Sequence, residues 1–106
     1  MELDRKGTIL SATPGACELL GKREARIIGE RFVSFCPSRD QRAVSDLIAE
    51  MFTSDHPERC RMGLQLNGIA VSVQLCGLVD EGECVGILVI MELVRKGAGQ
   101  KSGGRR

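Results

Sequence analysis

Cysteine and histidine are the residues of this chain with the most distinctive chemistry, because thiolates and imidazoles bind metals and act as nucleophiles. The chain has one histidine, His56, and five cysteines: Cys17, Cys36, Cys60, Cys76 and Cys84. Their number is odd and no two stand in a C-x-x-C pair, so the spacing predicts neither a disulfide framework nor a zinc ribbon. We expect reduced thiols that pack as small hydrophobic side chains, with redox sensing as the alternative.

The same inventory argues against catalysis. The chain contains a single histidine, and no Ser-His-acid or Cys-His arrangement can be assigned around it. Neither G-x-x-x-x-G-K nor G-x-G-x-x-G occurs, and these are the glycine patterns that hold phosphates and dinucleotides. The sequence therefore predicts a protein that is not an enzyme.

Length and composition indicate one globular domain. The chain has 106 residues, of which 42% are hydrophobic and 27% charged, enough apolar material for one core. The longest apolar run covers residues 84–91, far short of the ~20 residues that span a bilayer, and the polar start lacks a secretory apolar segment. We expect a cytoplasmic protein that makes no membrane contact.

Charge divides the chain into a body and a tail. Residues 1–93 contain 10 Lys/Arg against 14 Asp/Glu, a net charge of −4, whereas residues 94–106 contain 5 basic residues and no acidic one. The sequence predicts a single domain at 1–93 followed by a flexible basic linker or tail at 94–106. A mildly acidic body is not expected to bind nucleic acid, which needs clustered cations.

Short elements are predicted in the first third of the chain. Residues 8–12 form a strand candidate, and Thr13 then provides an N-cap ahead of a proline. Gly21 provides the stop of this first helix. A second short helix is predicted at residues 24–28.

The longest helix is predicted in the middle of the chain. Ser38 and Gln41 have the spacing of a capping box, and apolar residues recur at helical spacing through residues 39–52.

After this helix the apolar period changes from 3.6 to 2, which is typical of strands. Residues 59–79 alternate on both sides of Asn67-Gly68, a strong signal for a tight turn, and so predict a hairpin. Residues 84–93 are apolar on both faces, as expected of a central strand. The predicted fold class is α+β: two strands, several helices and a three-strand meander.

The alternation also assigns two faces to the meander. The face toward the helices is predicted to carry Ile69, Val71, Val73, Val85, Ile87 and Val89, with Leu47, Met51, Phe32 and Phe35 closing the core. The opposite face is predicted to carry an apolar patch that needs a partner. Its members are Ala70, Cys76, Leu78, Leu88 and Ile90. Two coverings stay open, a second copy of the chain in a homodimer or a flanking helix of the parent protein.

The order and spacing of several small motifs resemble those of a PAS domain over about residues 3–93. The motifs that carry the resemblance are Asp4-x-x-Gly7-x-Ile9-Leu10, Ala16, Leu19-Leu20-Gly21, Ile27-Ile28-Gly29, an Asp40-led helix, Gly68 and Gly86. Thr13 stands where the family commonly has Asn, and residues 91–93 depart from the usual ending. The resemblance implies a five-stranded antiparallel sheet with short helices and one longer helix packed on one face.

The PAS resemblance also implies a ligand pocket between sheet and helices. Its candidate lining residues are Leu10, Phe32, Phe35, Met51, Met62, Leu64, Val71 and Val89, which an ordinary core would also contain. Phe32 stands where flavin photoreceptors of the LOV subclass have a reactive cysteine. His56 follows the long helix and is expected in a solvated loop, whereas haem-binding members use a helical histidine. No tightly bound cofactor is therefore the main expectation, with haem or flavin as the alternative.

These observations together predict a sensory or regulatory domain of a signal-transduction or transcription-regulating protein. We expect it to act through dimerisation or partner contact on the outer sheet face, with an effector domain after residue 93. A small apolar ligand in the core is compatible with this role.

Overall fold

A computed structural model describes residues 1–53 and 59–94. Its strands are β1 (Glu2–Leu3), β2 (Ile9–Ser11), β3 (Cys60–Leu66), β4 (Ile69–Asp80) and β5 (Glu83–Leu93). Its helices are α1 (Pro14–Leu20), α2 (Glu24–Ile27), a 3₁₀ helix (Phe32–Phe35) and α3 (Ser38–Thr53). The predicted α+β fold class is confirmed.

The five strands form one antiparallel sheet in the order β2-β1-β5-β4-β3. β5 lies between β1 and β4, which confirms its prediction as a central strand. A strand in the middle of a sheet needs apolar side chains on both faces only if both faces are covered. The apolar residues on both sides of β5 therefore raise the question of what lies over each face.

Two-residue turns connect the three strands of the meander. Asn67 (φ 54°) and Gly68 (φ 74°) join β3 to β4, and Glu81 (φ 51°) and Gly82 (φ 81°) join β4 to β5. Positive φ at both central residues matches the right-handed twist of the flanking strands. Asparagine tolerates this conformation far better than glutamate does, so the predicted Asn67-Gly68 turn is confirmed and the second turn is the more strained of the two.

Local capping begins and ends the first helix as predicted. The Thr13 hydroxyl accepts a hydrogen bond from the Ala16 amide (3.2 Å), and Gly21 ends the helix in the left-handed conformation. A Cβ at Gly21 would clash with the Asn67 side-chain amide, so the end of α1 lies against the β3–β4 turn. α2 ends at Ile27, one residue earlier than predicted, because Ile28 is already extended.

The start of α3 differs from the predicted capping box. The helix begins at Ser38 itself, and the Gln41 side-chain amide donates to the Cys36 carbonyl oxygen (3.1 Å). Gln41 therefore binds the preceding loop instead of closing a box with Ser38.

The core lies between the sheet and the helices. Its fully buried side chains include Phe32, Leu3, Ile9, Ile27, Leu66, Leu75, Ile87, Val44, Val71 and Val73. From α3, Val44, Ile48 and Met51 are buried, whereas Leu47 is half-buried. The predicted helix face is thus rotated slightly, with Val44 and Ile48 deeper than Leu47.

Val85 was expected in the core and this prediction is wrong: half of its surface is exposed. The strand register shifts between Leu78, which pairs with Gly86, and Val79, which pairs with Cys84. Val85 therefore has no residue opposite it and forms a β-bulge, which interrupts the alternation of inward and outward side chains. Beyond the bulge, Ile87 and Val89 are buried as predicted.

Two predictions lie outside the described residues. They are the loop position of His56 and, apart from Val94, the tail at 94–106. The amide of Val94 donates to the Ala70 carbonyl oxygen (3.1 Å), which continues the β5–β4 pairing by one residue. Among the described helices, none is long and apolar enough to cross a bilayer.

Candidate functional site

The predicted pocket residues fall into three groups. Phe32, Met51, Leu64, Val71 and Val89 are buried in the core. Phe35 and Met62 are half-buried and pack against that core. Leu10 is 52% exposed, so its place in an internal pocket is wrong.

Leu10 points outward because the strand alternates. Its neighbour Ile9 pairs with Leu3, and both are fully buried. In β2, successive side chains lie on opposite faces, so burying Ile9 exposes Leu10. Ile9 and Leu10 are both apolar, so from the sequence either side chain could face the core. The pairing of β2 with β1 places Ile9 there and leaves Leu10 outside.

The interior that these residues enclose is apolar. Among the described residues, no polar or charged side chain is buried, and none of their buried side-chain N or O atoms is left without a partner. Phe32, at the position that carries a reactive cysteine in the LOV subclass, is fully buried in this core. Such a lining would hold an apolar group by burial alone, since polar side chains to orient it do not converge there.

One thiol borders this interior. Cys36 is buried after the 3₁₀ helix, and its Sγ donates to the Phe32 carbonyl oxygen (3.8 Å). Burial, with the Asp40 carboxylate adding a smaller effect, raises the pKa of Cys36 to about 11. Cys36 is therefore a protonated thiol at neutral pH and a poor nucleophile. None of the five cysteines, all of which are described, forms a disulfide.

An apolar groove that the sequence analysis missed lies between α1 and β5. Its volume is about 340 Å³, and its lining includes Met1, Ala16, Leu19, Val89 and Met91. Ala16 and Leu19 are three residues apart on one helix face, a signal that the sequence carries. Their closeness to Met91 comes only from the fold.

The predicted outer patch is a row of side chains on neighbouring strands. The register pairs Cys76 with Leu88 and Gln74 with Ile90, and it places Leu78 opposite Gly86. Leu88 is 37% exposed and Ile90 is 41% exposed, whereas Cys76 and Leu78 are half-buried. Ala70 is exposed but lies at the far end of β4, beside Val94. We call Cys76, Leu78, Leu88 and Ile90 the outer row.

Charged side chains flank the outer row on opposite sides. Glu2 on β1 pairs with Leu88, so it lies on the β1 side of the row. Arg61 on β3 pairs with Gln74 and donates to its side-chain oxygen (3.5 Å), so it lies on the β3 side. The outer face is thus apolar in the middle, acidic at one margin and basic at the other.

Comparisons with known proteins add the name of the fold. No protein-family model matches the chain, and no curated protein matches it. Solved structures do match it over most of its length. The Drosophila melanogaster Cycle PAS-B domain has a TM-score of 0.71 at 14% identity, covering 88% of this chain and 96% of that one. This chain has the PAS fold.

Two further PAS-fold matches support the same assignment. The PAS domain of the Cronobacter turicensis RpfR quorum-sensing receptor has a TM-score of 0.71 at 15% identity, covering 89% of this chain and 90% of that one. A domain of a histidine kinase from Haloarcula marismortui has a TM-score of 0.72 at 14% identity, covering 89% of this chain and 86% of that one. The PAS resemblance read from the sequence motifs is therefore confirmed at the level of the fold.

The solved PAS structures differ in what they hold. The Cycle domain was solved with bound ethylene glycol, and the RpfR domain in complex with BDSF. Among the described residues of this chain, no group of three or more His, Cys, Asp or Glu side chains could hold a metal ion.

Proposed function

We propose that this chain is a sensory or regulatory PAS domain that acts by self-association through the outer face of its sheet. The observation that carries the proposal is the outer row, four apolar side chains joined across β4 and β5 with Leu88 and Ile90 open to solvent. A contiguous apolar patch rimmed by polar residues is typical of a protein interaction surface. The PAS fold supports the wider role, since its solved examples come from a quorum-sensing receptor and histidine kinases.

The charges at the margins favour a second copy of the chain as the occupant. A two-fold axis parallel to the strands would lay the β1 side of one sheet over the β3 side of the other. Glu2 of each copy would then lie over β3 of its partner, two residues (about 7 Å) along the strand from Arg61, while the outer rows meet in the middle. An isologous interface needs this kind of self-complementary surface. A flanking helix of the parent protein would not require acid and base at opposite margins.

A signal would reach this interface through β5. Ile87 and Val89 lie in the core beside the helices, and the alternate residues Leu88 and Ile90 lie in the outer row. A change of packing on the helical side would therefore shift the same strand that forms the interface. Under this proposal, the chain after Leu93 passes the shift to an effector domain, and the domain itself catalyses no reaction.

A small apolar ligand in the core is the second candidate signal. The wholly apolar set of buried residues favours it over a polar cofactor. Absorbance of the purified protein and mass spectrometry of an organic extract test it together. A co-purifying apolar molecule supports the ligand, and a visible absorption band from haem or flavin contradicts the expectation of no tightly bound cofactor.

The test of the interface is the mass of the protein in solution across a concentration series, measured by light scattering after size exclusion. We expect a dimer at high concentration and its loss in Leu88→Glu, because a carboxylate in the outer row must be desolvated at the interface. The control is Leu10→Glu, which makes the same change at an exposed leucine outside the row. A wild-type monomer at all concentrations, or equal effects of both variants, contradicts the proposal.

Charge reversal tests the two-fold arrangement separately. Glu2→Arg and Arg61→Glu should each weaken the dimer, and the double variant should restore it, because the opposed charges are exchanged. Failure of the double variant to recover would reject the arrangement of the two copies, though not the role of the outer row.

A further inference from the structure

A second surface, on the helical side of the domain, has the chemistry of an anion site. A pocket of about 100 Å³ lies between the β1–β2 turn, the segment before the 3₁₀ helix and the outer part of α3. Its lining includes three cationic side chains, Arg5, Lys6 and Arg31, and the hydroxyl-bearing Ser45. A pocket of this size suits one small anion better than a nucleotide.

Backbone hydrogen bonds hold the two cationic segments together. The Phe32 amide donates to the Gly7 carbonyl oxygen (2.9 Å), and the Ile9 amide donates to the Glu30 carbonyl oxygen (2.8 Å). Thr8 and Arg31 form a β-bridge between the same two segments. Arg31 is thereby fixed beside the turn that carries Arg5 and Lys6, although 25 residues or more separate them in the sequence.

The turn itself is rigid. The Asp4 carboxylate accepts hydrogen bonds from the amides of Lys6 and Thr8 (both 2.9 Å), and the Gly7 amide donates to the Asp4 carbonyl oxygen. The Arg5 guanidinium lies over the Phe52 ring, 5.7 Å from its centre, which orients it against α3. The Asp4 carboxylate is thus engaged by its own turn, and the lining of the pocket is free of acidic side chains.

In the part of the chain that the structure describes, these three cations form no ion pair with an acidic side chain. Residues 1–53 and 59–94 contain one ion pair, between Arg39 and Asp40. Neither of these residues lines the pocket. Like charges gathered at one site repel one another, so three unneutralised cations around a small pocket favour a bound anion. The Ser45 hydroxyl also lines the pocket and adds a neutral donor.

We propose that this pocket, the turn-helix pocket, binds a phosphate group. Guanidinium and ammonium groups are the side chains that recognise phosphate oxygens, and a phosphate presents three or more acceptors with a charge near −2. Side chains that carry donors line the pocket from three separate segments, an arrangement that suits a tetrahedral anion better than a planar carboxylate. The site lies on the helical side, so it is distinct from the outer row and does not depend on the proposed dimer.

Titration of the wild-type chain with inorganic phosphate, followed by amide NMR at constant ionic strength, tests the proposal. We expect saturable shifts centred on Gly7, Val33, Ser45 and Ala49, which line the pocket. Acetate should bind at least about tenfold more weakly, because it offers fewer charge-assisted hydrogen bonds. Glycerol phosphate distinguishes the source of the group: equal binding indicates a phosphate ester, and weaker binding indicates the free ion.

Two variants and a control make the test specific. Arg31→Gln and Lys6→Gln should each weaken phosphate binding about tenfold, the usual loss for one charge-assisted contact. Arg42→Gln removes an exposed cation of α3 that does not line the pocket, and it should bind as the wild type does. Linear, unsaturable shifts spread over the surface, or equal losses in all three variants, would overturn the proposal. The NMR spectra of the free variants show whether each one is folded.

Discussion

The two faces of strands β4 and β5 both carry apolar side chains but have different surroundings. On the helical face, Val71, Val73, Ile87 and Val89 are buried beneath α3 and the 3₁₀ helix. On the outer face, Leu88 and Ile90 keep more than a third of their surface in contact with solvent. Because β5 is apolar on both faces, its own pattern does not tell which face forms the core. The position of the helices decides it.

The largest expected difference between the faces is in stability. Phe32→Ala should lower the free energy of unfolding by about 3–5 kcal/mol, because it leaves a cavity in the packed core. Leu88→Ala should lower it by about 1 kcal/mol or less in the monomer, because the side chain is already partly hydrated. Urea denaturation at low protein concentration measures both. Similar losses would mean that the outer row is packed as a core in the monomer.

The β-bulge allows a finer comparison on one face. Val73→Thr should cost about 1–3 kcal/mol, because its hydroxyl would be buried without a partner. Val85→Thr, at the bulge, should change the free energy of unfolding by less than about 0.5 kcal/mol, because half of Val85 is already exposed. Denaturation of both variants under one set of conditions checks this. A loss of stability in Val85→Thr as large as that in Val73→Thr would mean that Val85 is buried in the core, which contradicts the β-bulge.

The turns fix the register that assigns residues to each face. Asn67→Ala should destabilise the fold by about 1–2 kcal/mol, since alanine strongly disfavours positive φ. Glu81→Asn should stabilise it by about 0.5–1 kcal/mol by relieving the equivalent strain in the second turn. Thermal unfolding measures both effects. Glu81→Gln serves as the control for loss of charge and should have little effect.

The smallest expected effect concerns the cysteines of the two faces. Cys36 on the helical side should react slowly with a thiol reagent at neutral pH, whereas Cys76 in the outer row should react faster in the monomer. Reaction of the single-cysteine variants gives the two rates. Protection of Cys76 at high protein concentration would further support the proposed interface.

The pKa of Cys36 also predicts a pH dependence of stability. Its folded pKa is raised to about 11 from an ordinary value of 9.0, so the unfolded thiol loses its proton first as the pH rises. The stability that this thiol contributes is complete below pH 9 and is lost as the pH rises through 11. Cys36→Ala should flatten the fall in stability over that interval. An unchanged slope would show that other groups cause it.

Much of the fold could be predicted from local pattern. Thr13 and Gly21 mark the ends of α1 because capping depends on residues close in sequence. Asn67-Gly68 marks the β3–β4 turn for the same reason, and alternation assigned Val71, Val73 and Leu88 to their faces. The start of α3 was predicted only in part, since Gln41 had two possible backbone partners and the loop geometry selected Cys36.

Less of the candidate sites could be predicted. The outer row was expected from alternation, because the pairing of Cys76 with Leu88 follows from one turn and its register. The exposure of Leu10 and Val85 was not predicted from the sequence, because it depends on a strand pairing and on a β-bulge. The turn-helix pocket was missed entirely, since Arg5, Arg31 and Ser45 are far apart in the chain.

The sequence by itself determined the element types, the tight turns and the two-sided apolar character of β5, because these depend on residues within a few positions of one another. Tertiary structure decided where Val85 and Leu10 point and that Arg31 lies beside Lys6. The physical reason is that burial and charge clustering depend on which distant segments pack together. A pattern of residues close in sequence does not show which distant segments pack together.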